Sequence, residues 1–146
     1  MVAPLKRGVK LSELENKRNL MIIDHIGLPV SDYEKTKVFY QRSLKPLGIT
    51  LIRTEGNTAG FGKGNKAMFW IGPRKESYYT PIHIGFFAEN RIQVDEFYKA
   101  ALAAGGIDNG APGIREIYHP NYYGAFVFDP DGHNIEAVCH SPEEDK

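Results

Sequence analysis

Three side chains in this sequence suit the holding of a divalent metal ion: His25, His83 and Glu136. The two histidines hold the same place in two copies of one pattern. His25-Ile26-Gly27 returns 58 positions later as His83-Ile84-Gly85, Phe39-Tyr40 as Phe97-Tyr98, Leu44 as Leu102, and Gly48-Ile49 as Gly106-Ile107. If a twofold axis relates the copies, the imidazoles face each other across a cleft. Glu136 lies in the apolar run Asn134-Ile135-Glu136-Ala137-Val138. A carboxylate buried there without a partner is costly, and a cation relieves that cost. Two imidazoles and one carboxylate with open coordination positions suit Fe, Mn, Ni or Zn. The plainer alternative is a Glu136 paired with Lys or Arg at a sheet edge.

Proton transfer needs a further group. The segment Tyr118-His119-Pro120-Asn121-Tyr122-Tyr123 offers His119, whose ordinary pKa near neutrality suits an acid or base. The same segment also reads as an aromatic turn closing one end of the cleft. His133 is expected at the surface, because it follows a tight turn. His140 is expected at the rim. Cys139, the single cysteine, reads as a buried packing residue.

The elements that must position these groups follow from periodicity. Residues 22–30 alternate as a strand in which positions 25, 27 and 29 share a face. Ser31 and Asp32 offer N-cap oxygens, and a helix carries Thr36, Phe39, Tyr40, Ser43, Leu44 and Leu47. Pro46 and Gly48 close it. Three strands are expected over 48–53, 58–63 and 66–71, with turns at Glu55-Gly56-Asn57 and Gly64-Asn65. The second copy opens with a strand over 82–87 and a helix with the stripe Val94, Phe97, Tyr98, Ala101 and Leu102. A loop is expected over 108–113, then strands over 114–118, 124–129 and 134–139. Asp129-Pro130-Asp131-Gly132 makes the last hairpin turn.

The fold class is therefore α+β: two tandem βαβββ modules, 21–72 and 81–140, forming a curled mixed sheet around a cleft. Residues 1–20 read as an N-terminal arm and 141–146 as an acidic tail. The 146 residues suit one domain, and 18 basic against 18 acidic side chains leave no field to gather nucleic acid or an anionic membrane. No signal peptide is evident, and one thiol forms no internal disulfide, so a cytoplasmic location is the default expectation.

The repeat, the histidine opening each copy, and the run from Phe126 through Asp129-Pro130-Asp131-Gly132 to Glu136 resemble the vicinal oxygen chelate superfamily. That group includes glyoxalase I, extradiol dioxygenases, fosfomycin resistance proteins, methylmalonyl-CoA epimerase and bleomycin resistance proteins. The resemblance spans residues 21–140. It implies paired βαβββ modules and a metal held by His25, His83 and Glu136. The metal would chelate two oxygens of a small substrate and stabilise an enolate-like anion, in a lyase, isomerase or dioxygenase. It also implies a homodimer, with the site within one chain or across the interface. The fourth ligand of glyoxalase I and the epimerase has its counterpart near Phe69, where no carboxylate or amide stands, so the resemblance favours the three-ligand branches. The dioxygenases' catalytic tyrosine falls at Phe126, with Tyr123 and His119 as substitutes. The alternative is a metal-free protein of the bleomycin-resistance type, sequestering a small planar molecule in an aromatic-lined cleft.

Overall fold

The computed structural model describes residues 22–142. The 1–20 arm lies outside them. Among the described residues, eight strands and two α-helices run in the order β1 (Ile26–Val30), α1 (Tyr33–Ser43), β2 (Thr50–Glu55), β3 (Thr58–Lys63), β4 (Lys66–Pro73), β5 (His83–Phe87), α2 (Arg91–Ala103), β6 (Ile107–Ile114), β7 (Tyr123–Phe128) and β8 (Asn134–Cys139). The strands form two separate four-stranded mixed sheets, ordered β1-β4-β3-β2 and β5-β8-β7-β6. In each, the first strand runs parallel to the last strand of its module, and the other pairs are antiparallel.

Each helix starts on a side-chain cap. Asp32 accepts a bond from the Lys35 backbone N–H at 3.0 Å, and Asn90 from that of Gln93 at 2.9 Å. Past α1, a short 3-10 turn over Lys45–Leu47 ends at Gly48, whose φ of 73° favours glycine. The helices bury Thr36, Phe39, Tyr40 and Ser43 from α1, and Val94, Phe97 and Ala101 from α2. One apolar core spans both modules. Tyr40 meets Phe69 edge-on with centroids 4.8 Å apart, and Phe69 meets Phe86 of the second module at 5.4 Å.

The Asp-Pro-Asp-Gly-His turn ties the modules together. Tyr40 Oη donates to Asp129 Oδ2 at 2.5 Å, and Asp129 Oδ1 accepts the backbone N–H groups of Asp131 and His133 at 2.9 Å. The Asp131 carboxylate accepts the Ser31 N–H at 3.1 Å and lies 3.8 Å from the Arg74 guanidinium, while its carbonyl accepts the Tyr79 hydroxyl. His133 is thus buried rather than exposed, with 2% of its surface accessible; its Nδ1 accepts the Ile82 N–H at 3.1 Å. The turn lies between modules instead of in solvent. A second departure is β6: residues 108–113 form an edge strand, not a loop. Its pairing with β7 is irregular between Asp108 and Gly110 and between Gly110 and Gly113, which is how an edge accommodates Pro112 and two glycines.

Candidate functional site

The face of each sheet turned from the helices is open, and the chemistry sits there. On the second sheet, register aligns Gly85 of β5, Glu136 of β8 and Phe126 of β7 in one row. Glu136 has only 2% of its surface exposed. Glycines make room for it: a Cβ at Gly85 would stand 3.4 Å from Oε2, and one at Gly124 3.1 Å from Oε1. His83 Nε2 lies 3.0 Å from Glu136 Oε2, and His83 Nδ1 lies 3.1 Å from the Asn134 carbonyl. Both ring nitrogens thus face oxygen acceptors: a proton on Nδ1 is donated to the carbonyl, a proton on Nε2 to the carboxylate, and a cation bound between imidazole and carboxylate would take the place of the latter proton. Phe126 stacks on the imidazole, with centroids 6.2 Å apart and planes inclined 27°.

Tyr122 completes the group. Its hydroxyl donates to Glu136 Oε1. Burial, and then the bonded carboxylate, hold the phenol well above its ordinary pKa, so it stays a donor. Tyr123 points elsewhere: its hydroxyl donates to Asp95 Oδ1 on α2 at 2.7 Å, on the helix side of the sheet. Strand alternation explains the exchange. Phe126 faces Glu136, so positions 124 and 122 share that face and position 123 does not. His119 is exposed in the turn, its Nδ1 accepting the Asn121 N–H at 3.1 Å. It reaches Glu136 only through neighbours: His119 meets the His140 ring at 6.2 Å, and His140 meets the Tyr122 ring at 5.1 Å. Arg115, which the sequence did not single out, places its guanidinium 5.5 Å from the Phe126 ring centre.

His25 precedes β1 and lies apart from this group. Its Nδ1 is 2.9 Å from Asp24 Oδ1, and Asp24 also accepts from Lys66 Nζ at 2.7 Å. The Lys66 bond and then the His25 bond lower the Asp24 pKa. Like His83, His25 has its Nδ1 engaged. It borders a recess of about 550 Å³ on the open face of the first sheet, lined by first-module residues including Arg53, Thr58 and Trp70. Among the described residues, no three His, Cys, Asp or Glu side chains converge as a metal site. One chain therefore brings together His83 and Glu136, and holds His25 elsewhere.

Register also identifies the first-module counterpart of Glu136. Gly85 pairs with Glu136, and the equivalent Gly27 pairs with Trp70, not Phe69. Phe69 faces the core.

The pair His83–Glu136 fits a divalent ion. One imidazole nitrogen and one carboxylate oxygen, 3.0 Å apart and in hydrogen-bond contact here, are the donor types that would hold such an ion. The donors' outer atoms are already tied by Asn134 and Tyr122, the usual support for a ligand pair.

Among the described residues no helix is long and apolar enough to cross a membrane. The model of the Glyoxalase/Bleomycin resistance protein/Dioxygenase superfamily matches residues 22–137. A glyoxalase/bleomycin resistance protein from Albidiferax ferrireducens T118 is 28% identical, with a TM-score of 0.71 over 81% of this chain and 98% of that one. A structure described as a possible glyoxalase from Bacillus cereus is also 28% identical, with a TM-score of 0.58 over 82% and 99%. The uncharacterised protein YqjT of Bacillus subtilis (strain 168) is 28% identical over 134 residues, 80% of this chain and 98% of its own length. With two βαβββ modules, a histidine at or just before the first strand of each and a model match across nearly all the described residues, the chain belongs to the glyoxalase/bleomycin resistance protein/dioxygenase superfamily.

Proposed function

We propose that the chain is a small metal-dependent enzyme of this superfamily, acting on a bidentate oxygen substrate as a lyase, isomerase or dioxygenase. The ion is held by His83 and Glu136, with His25 of the partner subunit as the third donor. The observation that carries this is the 3.0 Å separation of His83 Nε2 and Glu136 Oε2, with the other atom of each group already bonded.

A homodimer follows from placement. His25 borders both the first-sheet recess and a second cavity shared with Ile84–Phe87 of β5, yet it does not converge with His83 and Glu136 among the described residues, and a second copy is one way to present it to the pair. Exposed apolar side chains around the second sheet support such docking; Phe87 has 62% of its surface accessible, and Ile117 and Tyr118 are also exposed.

When bound, a divalent ion supplies Lewis acidity to the two substrate oxygens. The chain's own residues do the rest. The Asn134 carbonyl accepts a bond from a proton-bearing His83 Nδ1, Tyr122 orients the Glu136 carboxylate, and Phe126 stacks on one face of the half-exposed imidazole. His119, exposed at the end of the His140–Tyr122 row, is the proposed group for exchanging a proton with substrate, a reading supported only by this ring row.

Metal content after identical loading of the wild type, His83→Ala and Glu136→Gln tests the ligand set. The wild type retains metal and both variants lose most of it. Equal retention by all three would remove His83 and Glu136 from the site.

The metal-free alternative, sequestering of a planar molecule, draws support from one feature. An aromatic ring, Trp70, stands in the first sheet where a carboxylate stands in the second.

A further inference from the structure

The row across the first sheet runs Gly27, Trp70, Gly60, Arg53, in register from β1 to β2. Its counterpart in the second sheet runs Gly85, Glu136, Phe126, Gly110. The large ring is exchanged between strands. In the second sheet it is Phe126 on β7, leaving β8 to the carboxylate. In the first it is Trp70 on β4, and the indole lies across Gly60. A Cβ at Gly60 would come within 2.9 Å of two indole carbons. Glycine at 60 thus lets the ring lie flat on the sheet.

Two further features bear on what this surface binds. On the β1 side, a Cβ at Gly27 would meet nothing within 4 Å, so space beside the indole is open. On the β2 side, the Arg53 guanidinium lies over the indole, 5.3 Å from its centre, so a ring stacked there would share the indole face with Arg53 from the Gly27 side. Arg53 reaches Glu55 only at 3.5 Å, and both side chains are largely exposed. Such a pair contributes little and yields readily to a better-placed carboxylate. The recess is about 550 Å³, within the range of small-ligand sites.

From this we infer that the first-sheet recess binds a planar aromatic carboxylate, its ring on the Trp70 indole and its carboxylate on the Arg53 guanidinium. Flat π-systems stack on an exposed indole. A guanidinium fork recognises a carboxylate through paired hydrogen bonds and stacks on aromatic faces as well. The inference deepens the proposed function by naming the substrate's class. It rests on reading the open faces as the ligand cleft, but not on the metal.

Trp70 is the single tryptophan, so its emission reports this recess and no other. The full chain, treated with chelator, is titrated with 2-naphthoate, 2-naphthamide and cyclohexanecarboxylate, with emission corrected for absorbance and binding checked by calorimetry. Saturable quenching by 2-naphthoate is expected. The amide should bind about tenfold more weakly, and the saturated acid should not bind measurably. Arg53→Gln should erase the preference for acid over amide, a result that lost folding does not produce. Gly27→Val, which the open space accommodates, should block all binding while the circular dichroism spectrum is unchanged. Linear quenching that is the same in the wild type, Arg53→Gln and Gly27→Val would overturn the inference. Because metal is absent throughout, failure here is separate from failure of the metal reading, which metal content alone decides.

Discussion

His83 Nε2 stands 3.0 Å from Glu136 Oε2, yet the imidazole is about half exposed and the carboxylate almost wholly buried. The pair is a shaft with the anion at its foot and the histidine at its mouth. Gly85 and Gly124 cut the shaft, since a side chain on either would crowd the carboxylate.

Tyr122 holds Glu136 from the other side. Tyr122→Phe should weaken divalent metal binding about 10- to 100-fold, as loss of a supporting hydrogen bond to a ligand does. Tyr123→Phe should leave metal affinity unchanged, because its hydroxyl bonds Asp95 on the helix side. Competition titrations with a metal-binding dye compare the two variants directly.

Much of this was legible in the sequence, and the gaps have physical causes. The sequence marked out His83 and Glu136 as ligand candidates, and the parallel pairing of β5 with β8 sets them side by side. Strand alternation, applied from Phe126, would have chosen Tyr122 over Tyr123; applied from Gly27, it would have chosen Trp70 over Phe69. The burial of His133 was not legible. It depends on the turn docking against Ser31, Tyr40 and Arg74 of the other module. Nor does any local pattern say which module surfaces meet, which is why the position of His25 relative to His83 had to come from the structure.

Tyr40 makes the fold sensitive to alkali. Burial first, and then the neighbouring Asp129 carboxylate, raise its pKa well above the ordinary 10.0. The folded state therefore keeps a proton that the unfolded chain begins to lose near pH 10. The stabilisation is fully present below that pH and declines above it. Tyr122 shifts in the same direction. Tyr40→Phe should cost about 1–3 kcal/mol at neutral pH, from the lost buried hydrogen bond. It should also flatten, without abolishing, the fall in stability between about pH 10 and 12. Urea unfolding across that range measures both effects.

A site shared between copies predicts complementation. His25→Ala and Glu136→Gln chains should each bind little metal alone. Unfolded together and refolded as a mixture, they form heterodimers in which one of the two sites has every donor. Such a heterodimer should hold about one ion per dimer. No recovery on mixing, with dimers confirmed by mass, would place all three donors within one chain or exclude His25.

The most direct measurement is the metal content of the wild-type chain, purified without chelator and then loaded in turn with Fe(II), Mn(II), Ni(II) and Zn(II). We predict about one divalent ion per chain for at least one of these metals, consistent with a site of N and O donors, and loss of that ion in His83→Ala. A wild-type chain that stays metal-free through every loading would contradict the account and leave the planar-ligand recess at Trp70 as its functional site.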